Sequence, residues 1–168
     1  IGSQGGGPGQ FSYFVDIAID RGDGRLYTLS GNTGVQTFDL DGNFLELFLS
    51  GAEASRLQRV AADGQGGVYF TTFGGFRKYA TDRTFVKDWY KPGDASEPDT
   101  FYGTYGIAID PDLNIYVADI TLERVSKFRQ GFALAPTAAA GPDKTVAAYL
   151  PATLDGSASH DNSFGSIV

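Results

Sequence analysis

The sequence predicts an all-β protein organised as a partial β-propeller of four-stranded antiparallel blades. Three observations predict it. The 168 residues include 23 Gly, 9 Tyr and 13 Phe but no Cys and no Met, a balance that favours short strands joined by tight turns. No window keeps apolar residues at helical spacing for more than about a turn before Gly or Pro interrupts. One pattern is also written three times: IAIDRGDGRLYTL at 17–29, VAADGQGGVYFT at 60–71 and GIAIDPDLNIYVAD at 106–119. Aligned on Asp20, Asp63 and Asp110, the copies lie 43 and 47 residues apart, a spacing suited to a propeller blade.

Each copy supplies its strands in the same order. An apolar first strand holds Ile17-Ala18-Ile19, Val60-Ala61-Ala62 and Ile107-Ala108-Ile109. A turn bearing Gly or Asn leads to a second strand centred on Tyr27, Tyr69 and Tyr116. A third strand ends in Phe38, Tyr79 or Phe128, and a fourth follows as FLELF (44–48) and FVKDWY (85–90). The third copy stops after its third strand. A lone blade leaves both faces of a small sheet bare, so blades must stack, and the Tyr and Phe columns are side chains large enough to fill that space. The Ala columns suit the narrow inner end, where sheets converge. Asp20, Asp63 and Asp110 recur because strand ends favour Asx-type hydrogen bonds.

GQFSYFVDIAID (9–20) and GIAIDPDLNIYVADITLERVSKF (106–128) resemble NHL-repeat blades. That pattern is a Gly-x-Phe lead-in, an apolar strand ending in Asp, a Gly/Asn turn, Tyr-Val-x-Asp, then Arg-Val before an aromatic. Asp119, Arg124 and Val125 match its last elements and imply an Asp119–Arg124 pair; the first copy has Ser30 and Gly34 there, and the second has Thr72 nearby. The resemblance covers 1–131, with blades at about 11–50, 54–90 and 101–131. The opening IGSQGGGPGQ reads as the end of a preceding blade's outer strand and the loop into the next. It has neither the basic start nor the apolar stretch of a signal peptide, so a processed or truncated start is expected.

Residues 132–139 read as a linker. Residues 140–168 resemble the opening of a PKD-type immunoglobulin-like β-sandwich, through Ala140-Gly141-Pro142-Asp143, Val146, the run LDGSAS (154–159) and Asp161. Only the first strands of that sandwich are represented. Three arrangements stay open: a segment of a longer chain, copies that complete one another, or a partial view of the flanks.

Composition narrows the function classes. A net charge of −7, with 12 basic and 17 acidic side chains in 1–131, opposes nucleic-acid binding, and Arg21, Arg56, Arg77 and Arg124 form no basic run. Cysteine absence excludes disulfides and thiolate metal sites. No apolar run approaches the roughly 20 residues of a membrane span. The Gly-rich start lacks the Lys and helix of a phosphate cradle. Some NHL-type propellers are lyases using several His and a metal, but His160, in the tail, is the sole histidine here. No Gly-x-Ser-x-Gly elbow is present, so no catalytic residue is assigned and the chain is expected not to be an enzyme.

Calcium is the cofactor best matched by residue type. Asp39, Asp41 and Asn43 alternate around Gly42 like the start of a calcium loop, although Asp-Gly is also a common hairpin turn. Asp155 and Asp161 sit where extracellular sandwiches sometimes hold calcium. The acidic insertion KPGDASEPDT (91–100) reads as a solvated connection or a contact loop. The resemblances together imply a non-catalytic extracellular or cell-surface module for adhesion, binding carbohydrate, protein or further copies of itself. The alternatives are a subunit of a self-assembling filament or sheath, and a lyase or hydrolase whose catalytic groups lie outside the segment.

Overall fold

A computed structural model describes residues 1–90 and 100–129. The expected linker, the 140–168 segment with Asp155, His160 and Asp161, and most of the 91–100 insertion lie outside them. The chain opens with β1 (Ser3–Gln4) and β2 (Gln10–Phe11), then builds a sheet from β3 (Phe14–Asp20), β4 (Arg25–Ser30), β5 (Gly34–Asp39) and β6 (Phe44–Leu49). A short helix, α1 (Gly51–Ala54), precedes β7 (Arg59–Ala62), β8 (Gly67–Thr72), β9 (Gly75–Ala80) and β10 (Phe85–Tyr90). The described part closes with β11 (Thr104–Ile109), β12 (Asn114–Asp119) and β13 (Arg124–Arg129). Strand order follows chain order in all three antiparallel sheets, as the repeat predicts, and the last has three described strands.

Turn chemistry fixes where the strands end. Asp20 Oδ1 accepts from the Gly22 amide at 2.8 Å, Asp63 Oδ1 from Gly67 at 2.7 Å and Asp110 Oδ1 from Asn114 at 2.8 Å. These are the Asx turns that the aspartate columns predict. Gly34 and Gly75 open the third strands of blades one and two with φ of 82° and 154°. A Cβ on either would run into the fourth strand's backbone, at Leu49 O and Trp89 O, so glycine is needed for β5–β6 and β9–β10 to pair.

Two cores lie between the sheets. Tyr27, Leu29, Val35 and Phe48 of the first blade meet Val60, Val68, Phe70 and Tyr79 of the second, with Ala18 against them. Tyr69 and Phe76 on the second blade's other face meet Ile115, Val117 and Phe128 of the third. Burying each such side chain contributes roughly 1.5–3 kcal/mol before entropy is counted. The innermost strands β3, β7 and β11 run side by side, and the Asp16 carboxylate accepts from the Val60 amide at 3.0 Å across the first boundary.

Lead-in residues plug each boundary. Leu57 belongs to the first core and Phe101 to the second. Gln58, Gly31 and Ile120 amides tie the lead-ins to the second strands through Thr71, Tyr13 and Gly103 carbonyls. The N-terminal segment departs from the expected outer strand of a preceding blade. β1 and β2 instead pair with each other in parallel and fold onto the first blade. The reason is Gln36, 1% exposed: its carbonyl accepts from the Gly9 amide at 2.7 Å and its amide donates to Gln10 O at 2.8 Å. Phe11 then packs on Phe38 with ring centroids 5.6 Å apart.

The tyrosine column behaves differently in its first copy. Tyr116 donates to Asp110 at 2.9 Å and Tyr69 to Asp63 at 3.2 Å, whereas the buried Tyr27 hydroxyl has no protein partner. Burial raises the Tyr27 pKa well above the ordinary tyrosine value. Tyr116→Phe is therefore expected to lose about 1 kcal/mol, while Tyr27→Phe should be neutral or stabilising. Paired urea titrations check this; equal losses would show that Tyr27 is satisfied.

Candidate functional site

The two ends of the blades differ in chemistry. One end gathers the first-to-second and third-to-fourth strand turns, and there Asp20, Asp39, Asp63, Asp82 and Asp110 accept from local backbone amides. The Asp39 carboxylate accepts from both the amide and the side chain of Asn43, each at 2.8 Å, and Asp82 accepts from Thr84 at 2.9 Å. The Asn43 side chain, its backbone N–H and other nearby amides hold the Asp39 pKa below the usual carboxylate range. Asp39, Asp41 and Asn43 thus form a hairpin turn in which Asp39 is bonded to Asn43. No cluster of three or more His, Asp or Glu suited to a metal occurs among the described residues. Asp23 shifts the other way, raised by burial and then by the neighbouring Asp20 charge.

The opposite end carries the lead-ins and the second-to-third strand turns, and Asp119 organises it. Its carboxylate, 3% exposed, accepts from the Tyr102 amide at 2.8 Å, Gly103 at 3.1 Å, and Thr121 and Leu122 at 2.9 Å. Burial alone would raise its pKa, but these four donors outweigh it and the net shift is downward. The expected Asp119–Arg124 pair is not what forms. The two residues are partners in the β12–β13 register, yet Arg124 donates to Thr100 O at 2.6 Å and Thr100 Oγ1 at 3.3 Å. Lead-in backbone lies closer to each group than the other's charge does. Both side chains therefore hold 100–103 in place. Ser30, at the equivalent place in blade one, has no partner for its hydroxyl, and Thr72 donates to Gly75 O.

What Asp119 and Arg124 position is one wall of a groove between blades two and three. The groove is about 480 Å³ and is lined by Arg56, Phe73, Gly74, Tyr90, Phe101 and Tyr102. Phe73 tips the β8–β9 turn, Tyr90 ends β10, and Phe101–Tyr102 is the third lead-in. Phe73, Tyr90 and Tyr102 are 71%, 62% and 50% exposed, so three aromatic rings face solvent around one concavity. Gly74 lies so close to the Tyr90 ring that a Cβ would clash with it. Sequence reasoning missed this site. The available signal was an aromatic at a turn tip, Phe73, where the first blade has Gly31-Asn32-Thr33.

Nidogen in the nidogen/laminin complex superposes with a TM-score of 0.50 at 16% identity, covering 68% of this chain and 43% of that one. A streptogramin B lyase gives 0.51 at 18% identity, covering 71% and 38%. The described strands form blades of a β-propeller. The virginiamycin B lyase of Staphylococcus aureus agrees, with a TM-score of 0.50 at 18% identity over 69% of this chain and 38% of that one. The chain therefore spans about two fifths of the length of these propellers. No family model and no curated protein matches the sequence. The propeller fold is thus shared with a laminin-complexed protein and with lyases, and at these identities the likeness is one of fold.

Proposed function

We propose that this chain is a non-catalytic binding segment of an extracellular or cell-surface propeller protein, with the groove under Phe73, Tyr90 and Tyr102 as its contact surface. The observation that carries the reading is the exposure of those three rings around one concavity beside Arg56. Exposed aromatics with Arg are the residues that dominate protein-interface energetics, so a segment of a partner protein is favoured over a sugar chain. Support against catalysis comes from the acids: Asp39, Asp63, Asp110 and Asp119 are all engaged by local donors. The blades are read as NHL-type, and 140–168 as the start of a PKD-type sandwich, on their sequence motifs. That pairing, with the acidic charge, supports a surface location and opposes a nucleic-acid partner.

Panning a displayed peptide library against the chain, beside a glycan array, tests the proposal. Peptide ligands whose binding falls at least tenfold in Phe73→Ala and Tyr90→Ala would support it. Binding confined to sugars would replace the protein partner with a glycan. Metal-dependent turnover of any bound compound would overturn the non-catalytic reading in favour of a lyase or hydrolase. The filament or sheath reading has its own observation, the exposure of Ile17 and Ile19 on blade one and of Val125 on blade three.

A further inference from the structure

An aspartate, a tyrosine and a lysine recur together in two of the blades. In blade two Asp63 stands two residues past Ala61, the cross-strand partner of Tyr69. Its Oδ2 accepts from Tyr69 Oη at 3.2 Å and from Lys78 Nζ at 3.3 Å. Lys78 faces Tyr69 on the next strand, and its ammonium lies 4.9 Å from the centre of that ring. The Asp63 side chain is 3% exposed, so a single positive charge from the neighbouring strand balances a buried carboxylate. Blade three repeats the columns. Asp110 accepts from Tyr116 at 2.9 Å, and Lys127, the partner of Tyr116, lies 5.4 Å over its ring.

Blade one keeps the aspartate and the tyrosine and lacks the lysine. Asp20 stands two residues past Ala18, the partner of Tyr27, but the residue facing Tyr27 on β5 is Thr37. Asp20, Tyr27 and Thr37 are all fully buried and share one face of the sheet. Asp20 Oδ1 accepts from the Gly22 amide, whereas Asp20 Oδ2, Tyr27 Oη and Thr37 Oγ1 have no hydrogen-bond partner among the described residues. Arg25 pairs with Asp20 in the β3–β4 register, yet its guanidinium goes to Glu46 at 2.7 Å and Asp23 at 3.3 Å. Arg83 reaches Glu46 at 3.8 Å. Two guanidinium groups thus serve Asp23 and Glu46, and the Asp20 charge is left over. The second blade closes over this turn, for a Cβ on Gly22 would overlap Gly64 O. A carboxylate oxygen taken from water with neither donor nor counter-charge is costly.

We propose that blade one binds a monovalent metal cation of the sodium or potassium class, held by Asp20 Oδ2, Tyr27 Oη and Thr37 Oγ1, where blade two uses the Lys78 ammonium. An alkali cation carries the same single charge as an ammonium and takes oxygen donors alone. One carboxylate and two neutral hydroxyls suit that charge, whereas calcium takes about six to eight oxygens. The site forms only when strands β3, β4 and β5 pair and blade two covers them, so the ion binds the folded chain and stabilises it by mass action. It lies at the first boundary and is independent of the groove between blades two and three.

Urea unfolding of the 168-residue chain in sodium, potassium or choline chloride at equal ionic strength tests it, choline being too large for the site. Wild type is expected to unfold at higher urea in sodium or potassium than in choline. An ion with a Kd of about 10 mM raises the folded-to-unfolded ratio about sixteenfold at about 150 mM. Thr37→Lys supplies the ammonium from the chain itself, so it should lose the ion dependence and be more stable than wild type in choline. Asp20→Asn keeps an Oδ1 for the Gly22 amide and removes the charge, so it should lose the dependence too, and it serves if the lysine is not accommodated. The neutral outcome expected above for Tyr27→Phe belongs to choline; in sodium that variant gives up one ligand. Equal wild-type midpoints in the three salts would overturn the proposal and leave the three oxygens to a bridging water. A gain given by calcium and by neither alkali ion, or an alkali-specific gain that survives in both variants, would overturn it as well.

Discussion

Phe76→Ala is expected to destabilise the protein by about 4 kcal/mol, more than any other single truncation of the cores. The ring is fully buried and stacks on Trp89 at 4.7 Å with planes 12° apart. It also meets Phe128 at 5.3 Å and, edge-on, Phe101 at 5.8 Å. Those partners come from β10, β13 and the third lead-in, so none can collapse into the void without dragging its own strand. Such immobile walls put a cavity at the upper end of the usual cost. Phe73→Ala, three residues away at a solvent-facing turn tip, should change stability by less than about 0.5 kcal/mol. Urea unfolding of the two variants makes the comparison, and a loss under about 1 kcal/mol at Phe76 would mean that the second boundary is looser than these ring contacts require.

Asp119→Ala is expected to cost about 3 kcal/mol at neutral pH, since buried amides of Tyr102, Gly103, Thr121 and Leu122 lose a charged acceptor together. The pH dependence has a definite sign. The folded pKa of Asp119 lies below its ordinary value. The stabilisation is therefore fully present above the unfolded carboxylate pKa of about 3.9 and fades as pH falls from there through the folded pKa. The gap between wild type and variant should narrow in acid. Unfolding at pH 7 and pH 3 measures it, and an unchanged gap would assign the loss to packing and not to the carboxylate. Because Tyr102 is both an Asp119 partner and a groove wall, ligand affinity should fall in the same variant.

The blade architecture was legible because its causes are local. An Asx turn needs an aspartate a few residues before its donors, as in Asp110 and Asn114, and a buried strand needs alternating apolar positions. Both survive as columns when the sequence is repeated. The N-terminal fold was not legible because Gln36 makes it from 26 and 27 residues away, and nothing near Gln36 marks it as the anchor. Asp119 and Arg124 misled for a related reason: opposite charges five residues apart suggest a pair, but the lead-in brought close by the tertiary fold offers amide donors to Asp119 and the Thr100 oxygens to Arg124. The four residues of α1 carry too little periodicity to be read at all. The groove draws on Arg56, Phe73, Tyr90 and Tyr102, whose sequence positions say nothing of their meeting. A turn tip such as Phe73 and a strand end such as Tyr90 are exposed in this fold, and there position has to be seen.

The lead-in plugs have a consequence for how the molecule is made. Leu57 and Phe101 fill the seam behind the blade they introduce, so covalent units and packing units are offset by part of a repeat. Emerging from a ribosome, the chain presents each plug before the strands that will cover it. Every seam can therefore be primed by its own connector and sealed by the blade that follows. Because each blade touches only its neighbours, assembly can advance in one direction without waiting for distant segments.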